Sequence, residues 1–150
     1  MKIYRADIRY TLVCEDGHQL PLDTPERVAD YMKGAFDADP TIEWVYSIPL
    51  NRKNYPFARF VITRGTATAS LLHPREIMRT VFLTGASSLI LVHNHPSGIT
   101  APSSSDIQVT KQIREAAKVC QVTLLDHVIV GDKLPENPEG YYSFAQAGLI

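Results

Sequence analysis

The chain has 150 residues, the size of one domain, and 45% of them are hydrophobic, enough to build a core. Its 15 basic and 16 acidic side chains leave a net charge of -1, which gives no electrostatic footprint for nucleic acid. No apolar run approaches the roughly 20 residues that cross a bilayer, and the opening residues alternate charged and apolar side chains instead of forming a signal peptide. The two cysteines, Cys14 and Cys120, both sit among apolar residues. They are expected to be reduced core thiols, and the protein is expected to be cytoplasmic.

Residues 2–14 alternate as a half-buried strand does, with Tyr4, Ala6, Ile8, Tyr10 and Leu12 on one side. Gly17 and Pro21 mark a loop, and His18 reads as a surface residue of it. Thr24-Pro25 is a helix-start signal, and Val28, Tyr31, Met32, Ala35 and Phe36 recur at helical spacing up to a stop at 37–40. A hairpin is expected next: one strand over 43–50, a solvated turn over 51–56 and a second strand over 57–63. Pro49 suggests a bulge or an edge position late in the first strand. Residues 65–70 are small and polar and read as a loop.

His73-Pro74 opens a second helix, with His73 as its cap, Ile77, Met78, Val81 and Phe82 on the inner face and Gly85 as the stop. Residues 88–92 form a buried strand. A third helix starts at Ser103 and carries Ile107, Thr110, Ile113, Ala116, Ala117 and Cys120 on one face. A further strand spans 122–130. Residues 131–143 are rich in Pro, Gly and Asn and read as a loop, after which 144–150 docks by its apolar side chains. No repeat, low-complexity tract or interdomain linker interrupts this order, so residues 1–150 are read as one domain. The fold class is α/β or α+β: a mixed sheet with helices packed on it.

The chemistry concentrates in residues 93–106. His93 and His95 end the apolar run 89–92, and the period of two in a strand aims both imidazoles at one face, with Asn94 turned away. Pro96 keeps His95 extended and Gly98 allows a tight turn. Asp106 can then return a carboxylate to the same point. Two neutral imidazoles and one carboxylate make a three-ligand set for a divalent metal with a position left for water. Ser103-x-x-Asp106 also reads as a capping box, and the two roles are compatible. Hydrolysis needs a general base as well. Glu76 in the first turn of the second helix and Glu43 at the head of an apolar strand are the candidates, and Glu43 is preferred because a charge there has no evident structural purpose. Iron-dependent oxygenation would use the same ligand set, but it needs no such base.

The spacing His93-x-His95, seven residues, Ser103, two residues, Asp106 resembles the JAMM signature of the JAB/MPN metalloprotease superfamily. The wider text is similar to its RadC-like branch: His73-Pro74-Arg75-Glu76, Leu91 to Gly98, Pro102-Ser103-x-x-Asp106-Ile107 with Thr110, and Leu125 to Gly131. The likeness covers about residues 24–148. It implies a cytidine-deaminase-like α-β-α sandwich with one zinc per chain on His93, His95 and Asp106. It further implies Glu43 as general acid/base, Ser103 as the oxyanion stabiliser, and hydrolysis of an amide, peptide or isopeptide bond. Asp126 and His127 are second-layer candidates that orient a ligand. Longer RadC-like proteins often carry an upstream helix-hairpin-helix segment that this sequence lacks, and the family bears a DNA-repair label. The alternative to an enzyme is therefore a binding module in DNA repair or a scaffold, although the charge balance gives nucleic acid no support as a partner.

Overall fold

The computed structural model describes residues 20–65 and 72–150. The expected strand over 2–14, Cys14, His18 and most of the 65–70 loop lie outside the described residues. Eight elements follow in chain order: α1 (Pro25–Tyr31), β1 (Trp44–Leu50), β2 (Phe60–Arg64), α2 (Pro74–Thr84), β3 (Ser88–Asn94), α3 (Ser104–Val119), β4 (Thr123–Val130) and β5 (Tyr141–Ser143). The strands form one sheet in the order β2-β1-β3-β4-β5, in which only β3 and β4 are parallel. α3 makes the crossover that parallel neighbours require.

The sheet has a core on each face. Val45, Leu89, Leu91 and Leu124 pack with Ile77, Met78 and Val81 of α2 and Val109, Ile113 and Ala117 of α3. Tyr46, Ile48, Ile90, Val92 and Val128 face the other way and pack with Val28 of α1 and Met32. The fold is therefore α/β, a mixed sheet between helical layers. β3 is buried on both sides along its whole length, which is why its sequence reads as a continuous apolar run and not an alternation.

Local chemistry accounts for most boundaries and for the departures from expectation. Thr24 caps α1 through its hydroxyl, which accepts from the Arg27 N–H. α1 is shorter than the periodicity suggests, because Gly34 takes a left-handed conformation at φ 75°. Ala35 and Phe36 still reach the core from the turns that follow. The hairpin turn is present, with Asn51 Oδ1 accepting from the N–H groups of Lys53 and Tyr55. The second strand begins at Phe60, not at residue 57. The β1–β2 register breaks at Val45/Tyr46 and not at Pro49, which lies past the last β1–β2 pair at Ser47. α2 ends on a left-handed Gly85 as expected, but Phe82 is exposed and His73, although at the cap position, makes no side-chain capping bond. The stretch read as loop over 131–143 contains β5. Phe144 behind it is fully buried, so the tail docks as expected.

Candidate metal centre

His93 lies in the last turn of pleat before β3 ends, on the face that Leu89 and Leu91 present to α2 and α3. α3 starts above this carboxyl end of the parallel pair, the usual place for a ligand in a sheet of this kind. Asp106 occupies the first turn of α3, where the helix dipole favours a carboxylate. It begins the inward stripe Asp106, Val109, Thr110, Ile113 and Ala117. His93, His95 and Asp106 therefore meet: His93 Nε2 is 3.0 Å from His95 Nε2 and 3.5 Å from Asp106 Oδ1, and His95 Nε2 is 3.6 Å from Asp106 Oδ2. The three side chains together could hold a metal ion. His93 and Asp106 are buried, whereas His95 is partly open, so the site is approached from the His95 side.

The neighbours fix each of the three. Ser103 Oγ and Ser103 N–H both donate to Asp106 Oδ2, at 2.6 and 2.8 Å, and Ser103 Oγ accepts from the Asp106 N–H at 3.1 Å. This is the expected capping box, with the same carboxylate turned to the histidines. His95 Nδ1 is 2.6 Å from the carbonyl of Ile99. The loop that carries this carbonyl is pinned at Gly98, whose own carbonyl accepts from the Asp132 N–H, so closely to Gly131 that a Cβ on Gly131 would lie 2.2 Å from it. His93 Nδ1 is 2.8 Å from His127 Nε2, and His127 Nδ1 is 2.6 Å from Thr110 Oγ1, which also lies 2.5 Å from the main-chain carbonyl of Asp106.

Burial governs the charges. It pushes His93 down to about 4 against the pull of Asp106, and takes fully buried His127 well below the usual histidine range. His95 is raised, first by its bond to Asp106. Burial alone would raise Asp106, but bonds from His95 and Ser103 outweigh it and hold the carboxylate below its ordinary range. Glu43 is raised, by burial first and then by the charge of Asp106.

Comparison with known proteins agrees with this geometry. A model of the RadC-like JAB domain matches residues 22–149. The chain belongs to the RadC-like JAB domain family. Among curated relatives, the UPF0758 protein of Chlorobaculum tepidum is 49% identical over 123 residues, 82% of this chain and 52% of its own. The UPF0758 protein of Pseudomonas syringae pv. tomato is 44% identical over 114 residues, 76% of this chain and 50% of its own. The chain spans about half the length of these relatives.

In this RadC-like domain, Glu43 comes one residue before β1. The antiparallel pair Val45↔His93 carries Glu43, two residues earlier, to the level of His95. Glu43 lines a small cavity with His93, Asp106 and His127. Glu76 does not line it, and its carboxylate is held by Arg75 and Arg79. The second-layer pair separates. His127 contacts His93, whereas Asp126 binds Ser143 Oγ, the Ala145 N–H and the His127 N–H. Asp126 instead borders a cavity of about 460 Å³ against α1, which none of the three candidate ligands lines.

Two residues of the site were missed in the sequence. Asn94 is turned away from the histidines as expected, but its amide is a clamp: Oδ1 accepts from the Trp44 N–H at 2.8 Å and Nδ2 donates to the Ile42 carbonyl at 3.1 Å. It thus holds both residues that flank Glu43. Thr110 belongs to the RadC-like stretch and to the inner helix face, but the sequence assigns it no role; its hydroxyl joins Asp106 to His127. No local pattern marks either role, although a buried Asn between two candidate ligands is itself a signal that it has partners. Among the described residues, no helix is long and apolar enough to cross a membrane.

Proposed function

We propose that the chain is a zinc-dependent hydrolase of amide, peptide or isopeptide bonds. The observation that carries this reading is the convergence of His93 Nε2, His95 Nε2 and the Asp106 carboxylate at 3.0–3.6 Å, beside a half-buried glutamate. Ligand atoms around a tetrahedral zinc at about 2.0–2.2 Å stand roughly 3.3–3.6 Å from one another, so the donor set fits in kind and nearly in spacing. His93, His95 and Asp106 would hold the ion. When bound, zinc supplies a Lewis acid that polarises the scissile carbonyl and acidifies the attacking water.

The chain's own groups do the rest. Glu43 takes the proton of the attacking water and returns it to the leaving amine. Its raised pKa suits that task, since a carboxylate of low pKa would be a poor base toward the water, while the protonated Glu43 is still a strong enough acid to donate to the more basic leaving amine. Asn94 keeps Glu43 level with His95. Ser103 Oγ gives its proton to Asp106 Oδ2 in this structure; turned from Asp106, whose Oδ2 keeps the Ser103 N–H, the same hydroxyl would supply a donor to the developing oxyanion. The opening on the His95 side admits the substrate, and the buried side around His93 and His127 excludes bulk water. A soluble cytoplasmic setting is part of the proposal; among the described residues Cys120 forms no disulfide.

Elemental analysis of the wild type and of His95→Ala, purified without added metal or a histidine tag, tests the proposal. About one zinc per chain, absent from the variant, is expected, followed by cleavage in an amide and isopeptide screen that Glu43→Gln abolishes. No zinc in the purified wild type and none taken up on titration would overturn it.

A further inference from the structure

We infer that Thr110 and His127 form a one-way chain of hydrogen bonds that locks the protons of His93, leaving its Nε2 bare toward the metal position. The inference rests on the metal reading above and deepens it. It turns on one atom, the main-chain carbonyl oxygen of Asp106, which can accept a hydrogen bond but has no proton to give.

Thr110 Oγ1 lies 2.5 Å from that oxygen, so its single proton must point there. With that proton spent, Thr110 can only accept from its second neighbour, His127 Nδ1, 2.6 Å away. His127 therefore carries its proton on Nδ1, and its Nε2 is an acceptor. The partner of that acceptor is His93 Nδ1 at 2.8 Å, which must then be the protonated nitrogen of His93. A neutral His93 so protonated has a lone pair on Nε2, the nitrogen that faces His95 and Asp106. A neutral His95 reaches the same state by a shorter route: the Ile99 carbonyl can only accept, so the one remaining proton sits on Nδ1, and the Nε2 that bonds Asp106 in the charged ring is bare.

The reverse assignment fails on the same distances. If Thr110 donated to His127, two oxygens would stand 2.5 Å apart with no proton between them, and His93 would present an N–H where an ion must bind. Two bare ring nitrogens 3.0 Å apart repel unless a cation lies near both. The wiring thus creates the demand for a cation before one arrives. Asp106 serves it twice, with its carboxylate as candidate ligand and with its main chain as the anchor of the chain of bonds. Thr110 and His127 are positioning residues, not catalytic ones.

Long-range 1H–15N correlation of ring-labelled histidines, on metal-free chain at a pH where the rings are neutral, reads the tautomers directly. His93, His95 and His127 should all be protonated on Nδ1. Thr110→Val and His127→Leu should move His93 toward its other tautomer and weaken zinc binding by about ten- to a hundredfold, measured by competition with a chelating dye. Thr110→Ser, which keeps the hydroxyl, should restore both readouts. His93 protonated on Nε2 in the wild type would overturn the inference, as would zinc affinity and tautomers unchanged in both Thr110→Val and His127→Leu. The expected tautomers in a wild type that binds no zinc would sink the zinc reading and leave the wiring standing.

Discussion

Asn94→Ala removes both ends of the clamp on Glu43. The Trp44 N–H and the Ile42 carbonyl each lose a partner, at 2.8 and 3.1 Å. A lost bond of this kind costs about 1 kcal/mol net, and roughly 1–3 kcal/mol where water cannot replace it. Trp44 is buried, so its N–H falls at the upper end, whereas Ile42 is half-buried and water reaches its carbonyl more easily. Together they give a loss of roughly 2–4 kcal/mol, or about 5–15 °C in melting temperature for a domain of this size. Asn94→Asp is expected to do no better, because it keeps the acceptor for Trp44 but sets a carboxylate oxygen against the Ile42 carbonyl. Urea unfolding followed by Trp44 fluorescence measures the loss, and elemental analysis of the same samples separates it from the metal. Zinc should be retained, since Asn94 faces away from the ligands, while hydrolysis should fall with the loosened Glu43. An unfolding free energy within 0.5 kcal/mol of wild type, a margin typical of surface substitutions, would refute the clamp.

Chelation should lower the melting temperature: zinc at a hundred times its dissociation constant adds about 2.7 kcal/mol, or roughly 5–11 °C here, and an unchanged melt on stripping a protein shown to hold zinc would deny that coupling. Glu43→Gln should keep zinc and lose hydrolysis, while Glu76→Gln, which only frees Arg75 and Arg79, should retain both; the opposite pattern reassigns the base. Because Glu43 works ionised and burial raises its pKa, the acid limb of the rate profile should lie above the roughly 4.3 of a free glutamate, and a limb at or below that value contradicts its role. Gly131→Ala drives a Cβ to within 2.2 Å of the Gly98 carbonyl, so it should displace the loop that orients His95 and weaken zinc binding by tenfold or more, by dye competition.

The parts of the site that were legible in the sequence are those written in short range. The His-x-His pleat, the Ser103–Asp106 box and the Gly85 stop each depend on neighbours within a few residues, and each stands where the spacing put it. Glu43 lines the small cavity with His93 and Asp106, whereas Glu76 pairs with Arg75 and Arg79 on the helix surface; which of the two is the base is decided by the substitutions above. What was not legible depends on pairing between distant segments. The role of Asn94 needs β1 beside β3 in one register, and β5 forms only because the 141–143 segment can add to β4. The early end of α1 was in principle visible in Gly34, whose helix-breaking tendency is offset in the pattern by the apolar Ala35 and Phe36.

The clearest case is His127. Counting by twos from Leu124, which packs on the α2–α3 face, sends His127 to the opposite side and Asp126 toward the ligands. The ladder with β3 instead steps from Leu89↔Leu124 to Ile90↔Asp126, so Leu125 is an extra residue and the alternation reverses beyond it. Asp126 thereby joins Ser143 on the α1 side, and His127 joins His93. One inserted residue decides which of two adjacent polar side chains serves the site, and nothing in the run Leu124-Leu125-Asp126-His127 announces it. Bulges are placed by the pairing partner as much as by the strand that carries them. For that reason, a second-layer residue can be recognised in this sequence by type, but its face is settled only by the register with β3.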